Sequence, residues 1–403
     1  MPQTESEKPV VESGYVKKEL PKNIGTIGMS LLVLGIILGT ASYLIDPARA
    51  SFSYLTSFVF LVCIGIGSLF LVSLEYAAGA VWSVPFRRIS EFLSASVPFF
   101  LILALPLFFN MHNLFIWTNP AAVAGDAVLR QRATYLNIPF FIIRDVLIFV
   151  IWAIFYYVLI KNSRKQDLTL DQSITTRNTK FSIAFIVIFA FSISIFSFDW
   201  MMSMTPHWFS TIFGIYLFSD AVWVALAFTT FAAVTLSERG YLTSKIKKDH
   251  YYSLGTLMFA FTVFWAYIAF AQYMLQWYGN LPEEIVYFQQ RWTGVWKIIP
   301  LALVITHFIV PFLLLIPRSS KTNPKILKFA AIWIIAVQVL DSYWRVMPSM
   351  VDNGLTFHIS WMDFTFPIAV IGLIIYLFSL LAKKNNLLAI GDPKLKRGLD
   401  FRL

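Results

Sequence analysis

Long apolar runs dominate this chain and decide what it can fold into. Ten such runs lie at 24–45, 52–76, 93–117, 138–160, 181–199, 208–236, 253–277, 294–317, 325–346 and 363–382. A helix needs about 20 apolar residues to cross a hydrocarbon core of roughly 30 Å. A membrane β-barrel would instead show alternating segments of about ten residues. The runs therefore predict an all-α polytopic membrane protein with about ten transmembrane helices.

The composition agrees with a protein dissolved in lipid. Apolar residues make up 58% of the 403 positions and charged residues only 13%, whereas soluble domains carry about 25% charged residues. This balance excludes a disordered chain, a coiled coil and a soluble globular enzyme. The single cysteine, Cys63, lies inside an apolar run and can form no internal disulfide.

The distribution of basic residues predicts the orientation. Of the 32 lysines and arginines, 25 lie in the two terminal segments and the even-numbered connections, which share one side if there are ten spans. Cytoplasmic loops carry such an excess, so we expect cytoplasmic tails at 1–23 and 383–403. The net charge of +10 then reflects topology and attraction to anionic lipids. Because the charges are dispersed over six segments, a nucleic-acid surface is not expected.

Tryptophan marks the opposite, trans side of the membrane. Eight of the 13 tryptophans are expected near it. They form either an ordinary interfacial belt or a face that packs against another protein or a flat hydrophobic ligand.

A weak internal repeat predicts two parallel four-helix bundles within the transmembrane domain 24–382. Segments 198–204 and 342–350 both combine an aromatic residue, a tryptophan and a Met-x-Ser-Met tail at the end of a span. Loop lengths also follow the same order in spans 2–5 and 6–9. We expect bundle one at about 52–199, bundle two at about 208–346, and the first and tenth spans as flanking helices.

Ionisable residues inside spans are costly and usually face a bundle interior or a wet cavity. Asp220, His307 and Asp341 lie within bundle two, and with Tyr267 they are our candidates for proton transfer. The alternative is that they are paired structural groups that lock helices together. Asp341 also stands four residues before Arg345, which allows the two side chains to pair on one helix face.

A second set of residues is a candidate for buried ion pairs or a quinone pocket. It comprises Arg144, Asp145, Arg345 and Trp344. The sequence contains no CxxCH haem-attachment site, no cysteine cluster and no P-loop. We therefore expect no redox centre, no bound metal and no covalent cofactor in this chain.

Three segments resemble a known family of respiratory membrane subunits. They are 197–208 (SFDWMMSMTPHW), 276–284 (QWYGNLPEE) and 344–348 (WRVMP). With the ten spans, they resemble the NrfD/PsrC-like family, in particular the ActF type of subunit in alternative complex III, a quinol:cytochrome c oxidoreductase. The resemblance covers essentially the whole chain.

The resemblance implies a role in quinol oxidation, and in proton translocation as a further expectation, in a prokaryotic cytoplasmic membrane. It implies two four-helix bundles and a quinone or menaquinone ligand in the assembly. Haem and iron–sulfur clusters would lie on partner subunits. The implied partners are a homologous ten-span (ActC-like) subunit, a multihaem cytochrome, an iron–sulfur protein, small membrane anchors, a terminal oxidase and lipids.

Two other functions remain open on the residues alone. Repeated bundles with buried charges are also found in secondary transporters. Against this, Pro300 and Pro311 interrupt the eighth span, while the fourth has only Pro139 near its start. The chain could also be a purely structural membrane anchor, which would tolerate the loss of every buried acid.

Overall fold

Helices account for the membrane-embedded part of the protein. The computed structural model describes residues 18–352 and 359–403, and within these residues it contains ten apolar spans and no β-strand. Spans 1 to 10 are Lys22–Ile45, Pro47–Ala78, Val84–Phe109, Ile138–Thr169, Ser173–Met204, Phe213–Glu238, Lys248–Gly279, Ile298–Leu315, Pro324–Val346 and Met362–Lys384. The prediction of an all-α polytopic fold is confirmed. Most of the predicted tail at 1–23 lies outside the described residues.

Shorter helices lie between or beyond the spans. They are Met111–Leu114, Pro120–Gly125, Ala127–Arg132, Pro282–Arg291, Arg318–Thr322, Ser349–Asp352 and Leu395–Leu399. We call the side at which span 1 begins and span 10 ends the N-face, and the opposite side the far face.

Local sequence signals fix several helix ends. Asp46, Asn137 and Asn323 each precede a span, and each side chain accepts a hydrogen bond from a backbone N–H of the first turn. A proline follows each of them within two residues, where its missing N–H costs nothing. Gly79 ends span 2 with a φ of 65°, a left-handed conformation that glycine adopts without strain.

Spans 2 and 6 form the centre of the molecule. In their most apolar stretches, 94% and 78% of the residues are buried. Span 2 packs against spans 3 and 5, span 6 packs against spans 7 and 9, and the two central spans contact each other along their length. The hydrophobic core is therefore continuous from one side of the molecule to the other.

Spans 1 and 10 pair with each other beside this core. Gly28 of span 1 lies against the backbone of Tyr376, and Gly35 lies against that of Ala369. The order of these contacts makes the pair antiparallel, and the missing side chains allow the two backbones to approach closely. Span 10 also reaches the core through Asp363, which forms a buried ion pair of 2.8 Å with Arg49 in the first turn of span 2.

Span 3 begins nearer to the N-terminus than the sequence predicted. The predicted run started at residue 93, and Arg87 and Arg88 were assigned to a loop. In the structure span 3 starts at Val84, and both arginines are buried in it. Ion pairs compensate their charges: Arg87 contacts Glu75 at 3.0 Å and Asp392 at 2.7 Å. The predicted start of span 3 was wrong because charged residues were expected to be exposed to solvent.

The segment after span 10 packs against the N-face. Asp392 reaches Arg87 in span 3, and the backbone N–H of Gly391 donates to Asp167 at 3.1 Å. The carbonyl of Gly398 lies 2.7 Å from His250 Nε2 at the start of span 7. Residues 385–403 therefore connect spans 3, 4 and 7 on this face.

Candidate functional site

A buried polar cluster lies between spans 6, 8 and 9. We call it the Arg345 cluster; its members are Tyr216, Asp220, His307, Gln338, Asp341 and Arg345. Every side chain in it is nearly or completely inaccessible to solvent. Because hydrocarbon penalises unpaired polar groups by several kcal/mol, such a set persists only where its members compensate one another.

Arg345 holds two carboxylates together. Its guanidinium contacts Asp341 Oδ2 at 3.0 Å from the preceding turn of span 9, and it forms a second ion pair with Asp220 of span 6. The hydroxyl of Tyr216 donates to Asp341 Oδ1 at 2.9 Å. The i, i+4 spacing predicted that Asp341 and Arg345 could pair, and the fold adds Asp220. One guanidinium facing two carboxylates leaves one negative charge uncompensated. One of the two carboxylates can therefore bind a proton.

His307 completes the cluster from span 8. Residues Val304–Ile309 form a wide π-helical turn, the type of local insertion often found at functional sites. His307 Nε2 lies 3.3 Å from the Gln338 side-chain oxygen, and its ring stacks on Trp265 with a centroid distance of 3.7 Å. A second indole, Trp223, lies 4.4 Å away. The imidazole is therefore held in contact with two indole rings.

The cluster also brings together three groups that can ligate cations. Donor atoms of Asp220, His307 and Asp341 all lie within 4.8 Å of one another. The positively charged guanidinium of Arg345 already forms an ion pair with each of the two carboxylates. The arrangement therefore favours exchange of protons among the groups over capture of a divalent cation.

A lateral groove opens beside the cluster, between span 7, span 8 and the helix Pro282–Arg291. We call it the aromatic groove; its volume is about 680 Å³. Its lining is almost entirely apolar and aromatic, and Tyr216, Trp265 and Trp344 belong to it. Among the described residues, the buried indole N–H groups of Trp265 and Trp344 have no hydrogen-bond partner. Tyr216 is the member shared by the groove and the Arg345 cluster.

Tyr267 was predicted as a proton-transfer residue, and the structure places it away from the cluster. Its side chain lines the aromatic groove and is 65% exposed. It belongs to the outer wall of the groove, on the side that would face lipid.

Arg144 and Asp145 form a separate site on span 4. The Arg144 guanidinium makes a two-point contact with Asp199 at 2.7 and 2.9 Å and lies over the Tyr135 ring. Asp145 accepts a hydrogen bond of 2.8 Å from the Trp200 indole. The structure therefore joins these residues to span 5, and not to Arg345 or Trp344.

Sequence reasoning missed Asp199, Trp223 and Trp265 as site residues. Asp199 could have been found, because it ends its apolar run on the same membrane side where Arg144 lies within the first two turns of the preceding run. The two tryptophans give no such signal, since a tryptophan in a membrane span is most often a packing residue.

Comparison with known proteins gives no assignment. No protein-family model matches the chain, and no curated protein shows a significant match to it. The geometry of the Arg345 cluster and the aromatic groove therefore has to carry the functional argument, together with the motif resemblance.

Proposed function

We propose that the chain is an integral membrane subunit of a respiratory quinol:electron-acceptor oxidoreductase of the alternative complex III type. In this role it supports quinol oxidation and proton translocation, and it carries no redox centre of its own. The three motif segments at 197–208, 276–284 and 344–348 and the ten spans support the membership in this family.

The observation that carries the proposal is the contact between the aromatic groove and the Arg345 cluster. Quinones are flat, apolar rings that travel within the bilayer, and the groove offers aromatic walls and a side opening between spans 7 and 8. Tyr216 lines that groove and donates to Asp341. A ring in the groove would therefore lie next to a chain of groups that can accept its protons.

The chemistry divides between this chain and its partners. Oxidation of a quinol releases two protons and two electrons. The electrons would pass to haem and iron–sulfur groups on partner subunits. The protons would pass through Tyr216 to Asp341 and Asp220, with Arg345 stabilising whichever carboxylate is ionised.

The expected setting combines the resemblance with the charge distribution. The resemblance implies a prokaryotic cytoplasmic membrane, and the excess of basic residues in the tails and even-numbered connections favours both termini in the cytoplasm. The far face would then carry contacts to the multihaem cytochrome and the iron–sulfur protein. The ten-span homologue, small anchors and a terminal oxidase would pack laterally.

Proton-to-electron ratios of the purified complex in vesicles test the role of the cluster. Asp220→Asn keeps the shape of the side chain and removes its ability to bind and release a proton. We expect a lower ratio with assembly retained. Asp171→Asn, an identical change at an exposed site on the N-face, should leave the ratio unchanged.

The same preparation separates the alternatives. A subunit of a respiratory complex purifies with haem and iron–sulfur proteins, whereas a secondary transporter purifies alone and colourless. Span 4 is unbroken while span 8 contains the π-helical turn, so the matching interruptions typical of transporter repeats are not seen here. A purely structural anchor would assemble normally and show a full ratio in Asp220→Asn.

A further inference from the structure

A second groove lies on the outside of the molecule, far from the Arg345 cluster. It runs beside the paired spans 1 and 10 at their N-face ends and has a volume of about 740 Å³. We call it the lysine groove, because Lys22 and Lys383 stand at its mouth. Nothing in the proposed respiratory role requires it.

The polarity of the lysine groove changes with depth. At the mouth, Lys22 and Lys383 outnumber the carboxylate of Glu19. Hydroxyl groups follow, and the deepest part is lined by aliphatic side chains of span 1 that are exposed by 39–60%: Met29, Val33, Leu34 and Ile37. A ligand that fits this sequence of environments has an anionic head and an apolar body.

The length of the groove matches one leaflet of a bilayer. From Lys22 to Ile37 the helix rises about 22 Å at 1.5 Å per residue. Half of a bilayer, including its headgroup layer, is also about 20–22 Å thick. A transmembrane helix of a partner would need a groove along the whole of span 1, and this groove ends at Ile37, eight residues before the end of the span.

We propose that the lysine groove is a binding site for an anionic diacyl phospholipid. The phosphate lies between Lys22 and Lys383, and an acyl chain lies along Val33, Leu34 and Ile37. The lysines supply selectivity for the negative headgroup, since each basic residue near a membrane surface contributes about 1 kcal/mol of attraction to anionic lipid.

Native mass spectrometry of the delipidated full-length protein tests this site. The protein is incubated with equal amounts of phosphatidylglycerol and phosphatidylcholine that carry the same acyl chains. Because Glu19 offsets one of the two lysines, we expect phosphatidylglycerol to be retained about fivefold over phosphatidylcholine, which corresponds to about 1 kcal/mol for one net positive charge. The double variant Lys22→Gln/Lys383→Gln should lose this preference for phosphatidylglycerol.

A matched control removes an equal number of positive charges from the same face of the molecule, outside the groove. Lys245 and Lys248 are exposed on the N-face and do not line the groove, so Lys245→Gln/Lys248→Gln should keep the fivefold preference. Val33→Trp fills the apolar part and should lower the binding of both lipids. Three results would overturn the proposal: equal retention of the two lipids by the unchanged protein, an unaltered preference in Lys22→Gln/Lys383→Gln, or a co-purifying single-span protein that excludes lipid from the groove.

Discussion

Gly67 of span 2 lies directly against the backbone of span 6, and it allows a quantitative test of the fold. A Cβ atom at this position would lie 2.0 Å from the carbonyl oxygen of Ala221 and 2.6 Å from its carbonyl carbon. Ordinary van der Waals contact begins at about 3.4 Å. Gly67→Ala therefore requires span 2 and span 6 to separate by more than 1 Å.

This separation should lower the stability considerably, because the obstructing atoms belong to the backbone of Ala221 and cannot rotate aside. Overpacking a well-packed core costs about 1–3 kcal/mol, and a flexible side chain that could move aside would place the cost at the lower end. Alanine is the better helix former by about 0.5–1 kcal/mol, which offsets part of the penalty. We expect a net loss of about 2 kcal/mol in the free energy of unfolding. Since Ala221 follows Asp220, the Arg345 cluster should also be disturbed.

Denaturation in mixed detergent micelles, followed by circular dichroism, measures the free energy of unfolding. The matched control is Gly279→Ala at the end of span 7, where an added Cβ meets no atom within 4 Å. It should leave stability unchanged or slightly raised. If Gly67→Ala were as stable as this control, the close contact between spans 2 and 6 would be refuted.

Two further perturbations probe the loops and the C-terminal segment. A hydrogen bond from the backbone N–H of Leu129 and one from the His207 side chain lower the pKa of Asp126. Its stabilisation of the far-face helix Ala127–Arg132 is therefore present at neutral pH and lost as the pH falls through that lowered value. After division by the intrinsic exchange rate at each pH, the hydrogen-exchange protection of 127–132 should fall on acidification, and in Asp126→Ala, which removes the acceptor of the cap, it should be low already at neutral pH. Ending the chain after Lys384 removes Asp392 from Arg87, which keeps Glu75 as a partner, and should cost about 1–3 kcal/mol, the usual effect of leaving a buried polar group short of a hydrogen-bond partner; a thermal melt unchanged by this truncation would show that the segment contributes nothing.

Periodicity and length made the spans predictable. An apolar run of 20 residues has no stable alternative to a helix in lipid, so all ten runs overlap their observed spans over most of their length. The largest displacement is at span 3, where Arg87, Arg88 and Glu91 concealed the helix start. The partners that make these charges tolerable, such as Glu75 and Asp392, are distant in sequence and give no local signal.

The candidate site was predictable only in part. Asp341 and Arg345 lie on one helix face, so their pairing could be read from spacing, and His307 and Asp220 were identifiable as ionisable groups within spans. Which of them meet depends on how spans 6 and 8 pack against span 9. The arrangement of the spans also assigns Arg144 to Asp199, and it creates the aromatic groove, which no linear pattern indicates.

The segment after span 10 also constrains how the protein matures. Residues 385–403 leave the ribosome after all ten spans. Asp392 nevertheless forms an ion pair with Arg87, which is buried in span 3, and the carbonyl of Gly398 lies within hydrogen-bond distance of the His250 imidazole. Until that segment arrives, Arg87 has one acidic neighbour fewer, so the N-face stays incompletely assembled during membrane insertion. Final consolidation of the early spans thus follows the synthesis of span 10.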